Sequence, residues 1–257
     1  MRPASIEFVL PLLLAASAAI GAELTRAEVE SMLAAAPETS RPNLAGCSLA
    51  GLDLHALDLH EVDFNSANLS DADLSEADLR GAKLVATNLA GAKLPRARLN
   101  LAWIMRADFS GADLSQSILQ TLITSTGMEA RPDEAATFVG ANLSGARVTA
   151  RFSLDDMRGA NLSHLHASVD MRNQSMGLIR TDFSRANLAD ANFEGAELAY
   201  VNLEFAKLQR ANFSGTDLSN VDLAGADLTE ANLTGAETTG AKFTGATLDG
   251  VKGLSPR

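Results

Sequence analysis

From Leu44 to Leu119 every fifth residue of this chain is apolar, sixteen positions out of sixteen, beginning Leu44, Leu49, Leu54, Leu59, Phe64 and Leu69. With 46% hydrophobic residues overall, chance would give such a run on the order of a few times in a million, so the repeat is read before any local feature. A second run, Phe183 to Leu248, carries Leu or Phe at thirteen of fourteen such positions, with Thr238 the exception. A period of five fits neither a helix nor a strand. A helix would spread the leucines around its circumference, and a flat strand would send alternate ones to opposite faces. A backbone that turns a corner every five residues keeps all of them inside. Four corners then close one coil, and successive coils pair at about 4.8 Å.

Two residues before most of these central positions stands a small side chain, as at Ala67, Ala72, Ala77, Ala82, Ala92 and Ala97. A narrow interior has no room for a second large residue there. Only 5% of the chain is aromatic, so the core rests on Leu and Ala rather than on the large side chains of a conventional sandwich or barrel.

Segments such as Ala67-Asn-Leu-Ser-Asp71, Ala72-Asp-Leu-Ser-Glu76, Ala77-Asp-Leu-Arg-Gly81 and Ala226-Asp-Leu-Thr-Glu230 resemble the pentapeptide-repeat family, whose consensus is A-(D/N)-L-x-x. The resemblance covers about residues 43–250. It implies an all-β solenoid, a right-handed quadrilateral β-helix with Leu, Phe and Ala turned inward. It implies little about activity, because the family's functions are diverse.

The remaining features divide the chain. Residues 1–22 read as a signal peptide: Arg2, an apolar core from Ile6 to Leu14, then small residues up to Ala22. That core is shorter than the roughly 20 residues a spanning helix needs. The expected location is periplasmic or secreted, with no transmembrane segment in the mature chain. Residues 23–42 read as a short capping α-helix and linker, because Thr25-Arg-Ala-Glu28 is a capping box and Val29, Met32, Leu33 and Ala36 form one stripe. Stack one covers 43–119 and stack two 178–250, with a tail at 251–257. The middle, 120–177, breaks the pattern. Central residues resume at Phe138, Leu143 and Val148, slip by one to Phe152, Met157 and Leu162, and fail from Ser163 to Gly177.

Net charge −11 argues against a general nucleic-acid binder. The charge is also segregated. Residues 42–79 hold acids and no Lys or Arg, whereas Arg80, Lys83, Lys93, Arg96, Arg98 and Arg106 follow with no acid between them. Trp103 lies in this basic belt beside Met105, and the belt is the first candidate partner-binding patch. The second is a loop site in the middle: His164, His166, Asp170, Arg172, Asn173 and Gln174. An alternating His pair with Asp155, Asp156 or Asp170 has the makings of a metal site, but neither a metal nor any other cofactor is expected. Cys47 takes an inward position and reads as a small core residue. No phosphate loop, GxSxG or HExxH motif occurs.

The expected function is a non-catalytic exported scaffold that presents charge-patterned faces to a protein or envelope partner. A homodimer through the C-terminal coil is a further expectation. Two alternatives stand beside it: a cytosolic DNA mimic that interacts with gyrase, as the family resemblance implies, and a metal or ligand binder using the middle.

Overall fold

The computed structural model describes residues 21, 23–37, 40–127, 129–168 and 180–254. The expected signal segment, apart from Gly21, lies outside them.

The period of five is a corner. At nearly every repeat the residue two places after the central one has positive φ: Gly at many corners (Gly46, φ 70°) and ordinary residues at others (Glu61, 57°; Arg210, 58°), with Ala150, after Val148, an exception. Positive φ at the third position is the mark of a type II turn. It is closed here by bonds such as Cys47 N to Leu44 O, 3.2 Å.

The five backbone N–H groups of a repeat can be followed one by one. In the repeat 67–71, Ala67 N closes the preceding turn onto Phe64 O at 2.9 Å. Asn68 N reaches back one coil to Cys47 O (2.8 Å), while Leu69 N and Asp71 N reach forward to Asn88 O (2.7 Å) and Ala90 O (2.9 Å). The fifth, Ser70 N, is left over, and the Asn68 side chain accepts from it at 3.1 Å. This local capping explains the Asp or Asn before each central residue. It recurs at Asp63, Asp73, Asp113, Asp182 and Asp217.

Parallel bridges join each coil to the next along four columns. The first face begins at Asn43 and runs through Asp63, Lys83, Trp103 and Ile123; the second runs from Ser48, which Glu23 also bridges, the third from Asp53 and the fourth from Asp58. Among the described residues regular strands are nearly absent: only β1 (Ile118–Gln120) and β2 (Arg147–Thr149) extend to three residues, paired in parallel. Leu69, Leu89 and Leu208 are fully buried, as the period requires. Arg98 is exposed, whereas Asp217 is half-buried because it caps Ser219 N (2.9 Å) between the bridged residues Glu197 and Glu237.

Helix α1 (Arg26–Ala35) closes the N-terminal end of the tube. Its capping box is formed, and Val29 and Met32 join the core. Arg26 ties it to the first coil through Asp53, 2.8 Å to the carboxylate and 2.9 Å to the carbonyl. At the other end Ala236, Phe243, Ala246, Val251 and Leu254 pack on the core while only partly buried, and Leu248 is 40% exposed.

The two stacks share one core, which runs through the middle without interruption. Bridges on the second face step from Asp108 to Thr137, Asp156 and Asn187; those on the third step from Asp113 to Asn142, Asn161 and Asn192. The first run continues one repeat beyond Leu119, since Ile123 bridges Trp103 and Leu122 fills the inward slot that Ala takes elsewhere. The repeat that follows Leu162 likewise continues to Ala167, which is buried in a central slot. Within the insertion between Ile123 and Thr137, the segment beginning at Pro132 forms a 3-10 helix, Pro132–Glu134.

Candidate binding face

The three irregularities fall on one side of the tube. The inserted loop, residues 124–136, leaves just after Ile123 on the first face. One coil later the corner before Arg151 is a residue short. The coil after that returns to the first face at Asp182, beyond the residues not described. Among the described residues no bridge joins Ile123 to Arg151, although the other three faces stay paired at this level. The seam opens into a cleft of about 510 Å³ edged by Thr121, Ile123, Thr124, Ser125, Arg151 and Arg180. A second hollow of about 400 Å³ continues past Arg151 and Asp182 to Leu154, Arg185, Glu204 and Phe205.

Exposed large apolar residues gather along this side. Four are exposed among the described residues: Leu101 (54%), Trp103 (40%), Phe205 (59%) and Leu248 (40%). Trp103 lies on the first face, while Leu101 and Phe205 occupy its two bordering corners. The Phe205 ring lies over Gly225, leaving no room for a Cβ there. Met105, beside Trp103 in sequence, is buried instead.

The basic belt wraps around the tube and is half of a stacked pair of charge blocks. Lys83 reaches Asp63 (3.4 Å), Arg80 reaches Asp78 (2.6 Å), Arg98 lies 3.7 Å from Asp78, and Arg96 pairs with Glu76. Three of these four pairs join residues twenty apart, so the segregated charges of neighbouring coils face each other. The cations of these pairs are exposed, so solvent screens the attraction and the pairs add little to stability. Lys93 bridges Asp73 and Asp113 in its column, and Arg106 projects from an exposed corner next to the loop. Where the belt replaces the capping Asp or Asn, the local backbone adapts. Pro95 follows Lys93 and has no N–H to cap, while Val85 N is capped by Asn65 from the coil before, at 2.9 Å.

The second candidate site does not assemble among the described residues. His164 stands at a corner and overhangs Gly195, whereas His166 is on the fourth face, 3.1 Å from Glu197. Asp156 is on the second face and pairs with Arg158 at 2.7 Å, and Asp155 is inside the tube. Asp170, Arg172, Asn173 and Gln174 lie outside the described residues. No group of three metal-ligating side chains occurs among the described residues. Cys47 is buried, and burial pushes its thiol pKa up, away from nucleophile chemistry.

A ladder of five amides, Asn142, Asn161, Asn192, Asn212 and Asn232, runs along the third face with side-chain bonds of 2.9–3.3 Å. It is anchored on Asp113 at 2.9 Å. It passes through the register breaks, which hid its full length in sequence.

Asp155 is the one residue that sequence reasoning weighed only as a ligand and that the structure places in an inward Ala slot. The inserted loop deprives Ala136 N of its usual turn partner, and Asp155 Oδ1 accepts from it at 2.9 Å. Oδ2 is buried with no protein partner. One N–H bond to a carboxylate contributes roughly 1.5–3 kcal/mol, while an unpaired buried charge costs several. Burial wins, and the pKa is pushed up from 3.8 to about 8. Other inward polar groups are satisfied: Thr87 and Thr216 donate to Phe64 O and Phe193 O, each at 2.7 Å.

Four ladders, a continuous inner column of apolar side chains and one disrupted face define a solenoid scaffold. The chain belongs to the pentapeptide-repeat family: eight repeat copies match at residues 43–81, 82–120, 178–215 and 211–250, more than half of its length. Among solved structures it is similar to HetL, a pentapeptide repeat protein involved in heterocyst differentiation regulation from the cyanobacterium Nostoc. That match is 28% identical, with TM-score 0.42, over 89% of this chain and 96% of that one. It is also similar to QnrB1, a plasmid-mediated fluoroquinolone resistance protein, at 21% identity and TM-score 0.37 over 80% of this chain and 88% of that one. A pentapeptide repeat protein from the Arabidopsis thaliana thylakoid lumen matches at 21% identity and TM-score 0.17, over 59% of this chain and 68% of that one. No curated protein sequence matches the chain. Among the described residues no helix is long and apolar enough to cross a membrane.

Proposed function

We propose that the protein is a non-catalytic, exported scaffold whose first face receives a protein partner. The supporting observation is the coincidence on one side of three register breaks, the two hollows they open, and Leu101, Trp103 and Phe205. Exposed aromatic anchors around a recess are the usual energetic centre of a protein interface. Many acids on the other faces, such as Asp73, Asp113 and Asp217, cap their own turns. That use of the acids, together with the cations of the belt, works against the DNA-mimic reading, which needs unbroken negative potential.

The test is capture from the envelope fraction by the wild type and by a Trp103→Ala/Phe205→Ala double variant, with Leu248→Ala as control. The double variant should weaken binding by about 2 kcal/mol or more, roughly 30-fold, and the control should not. Equal capture by all three overturns the face assignment. Full-length protein that keeps residues 1–22 in the cytosol overturns export. The partly covered last coil is where a second copy would stack in a homodimer. Light scattering should then give twice the monomer mass, and a monomer at high concentration removes that arrangement.

A further inference from the structure

We propose that Asp155 is a proton-held latch on the inserted loop, residues 124–136: its neutral carboxyl fastens the loop's root at Ala136 to the coil, and the hold slackens as pH rises. The geometry carries this. Asp155 occupies a slot that elsewhere holds Ala. Its Oδ1 replaces the turn carbonyl that the insertion took from Ala136 N, at 2.9 Å. Its Oδ2 is enclosed with no protein partner. The loop has a second fastening inside itself, where Glu134 accepts from Ser125 Oγ (2.7 Å) and Thr126 Oγ1 (2.5 Å). The Glu134 carboxylate, Ser125 and Thr126 thus hold the loop's shape, while Asp155 holds its end to the tube beside two backbone bonds, Arg106 N to Glu134 O (2.9 Å) and Asp156 N to Ala136 O (3.2 Å).

The charged groups nearest in sequence and stacking are otherwise engaged or turned outward. Asp156 on the same coil pairs with Arg158 outside the tube, Glu134 is tied to the loop hydroxyls, and Arg106 and Arg185 stand at corners. Only burial and the Ala136 N–H act on the Asp155 carboxyl. Among the described residues no cation acts on it, so losing the proton would leave an isolated charge in an apolar tube.

The direction follows from linkage. The closed root binds the proton up to about pH 8, whereas an opened, solvated root releases it near the ordinary 3.8. Closure therefore takes up one proton between these limits. It is tightest in acid, weakens about tenfold per pH unit across the window, and levels off above it, where both forms are ionised. The loop walls the first-face cleft through Thr124 and Ser125. In that respect the latch would regulate the docking face proposed above, but its test uses the protein alone and stands or falls without a partner.

The test is amide hydrogen exchange of residues 121–137, corrected for intrinsic rates, from pH 5 to 9. The wild type should lose protection about tenfold per pH unit and level off near pH 8. Asp155→Asn keeps the acceptor for Ala136 N without a titrating proton and should show flat protection, as should amides of the Asn212–Asn232 ladder in both proteins. Matching profiles for wild type and Asp155→Asn overturn the latch. Should that variant fail to fold, carboxyl carbon NMR of wild-type Asp155 decides: titration near 8 supports the latch, and titration near 3.8 overturns it.

Discussion

Phe193→Ala is expected to lower the free energy of unfolding by about 3–5 kcal/mol. The ring is fully buried. It stacks on Phe213 one coil on, with centroids 4.9 Å apart and planes at 6°, and meets Phe183 edge-on at 6.2 Å. Phe183 and Phe193 come from the first and third faces, so they touch across the tube. Removing the ring leaves a void that four-sided ladders cannot close, because each face is pinned to the coils on both sides. Bonds such as Phe193 N to Asn212 O, 2.7 Å, would have to break before the walls could collapse inward. Urea unfolding at fixed pH measures the loss, and hydrogen exchange should place it in the coils around 183–213. A change below about 1 kcal/mol would mean that the ring does not sit in the tube.

Ala211→Leu tests the opposite limit. Ala211 is fully buried between Ala191 and Ala231, which fill the same slot one coil before and after. Leucine there has no free volume, and overpacking of this kind costs about 1–3 kcal/mol. The strain would fall on the paired backbone, beginning with Asn212 N to Ala191 O at 2.9 Å. A hydroxyl is tolerated in this slot only when it finds a carbonyl, as Thr216 does, and leucine has nothing to offer in exchange. Ala236→Leu is the control. It holds the equivalent slot at the partly covered end, so its melting temperature should hardly move. Equal destabilisation at both positions would contradict a size limit set by the closed tube.

The repeat was legible because its cause is local. A turn every five residues needs a central apolar side chain, a small one two places earlier, and an Asp or Asn to cap the leftover N–H, and all three are written into each repeat. Leu89, Ala92 and Asn68 could be placed without coordinates. Legibility failed where the same slots are filled by unusual sizes. Leu122 sits where Ala is usual and Ala167 where Leu is usual, so one repeat on each side of the middle does not show in the pattern. The basic belt was legible in part as geometry: four corners of five residues stack each residue on the one twenty later and so set Lys83 on Asp63, 3.4 Å apart, whereas the pairing of Arg80 with Asp78 inside one repeat depends on side-chain conformation.

By itself, then, the chain's spelling determined the coil, its inward residues, the capping helix and the ladders, because each depends on contacts within one repeat or at a fixed spacing of twenty. The tertiary structure decided that three separate breaks share the first face, that the Asn ladder runs through them, and that Asp155 closes the gap the insertion made. Those facts depend on how many residues each break adds or removes, which sets the face on which the chain returns, and no single repeat carries that information.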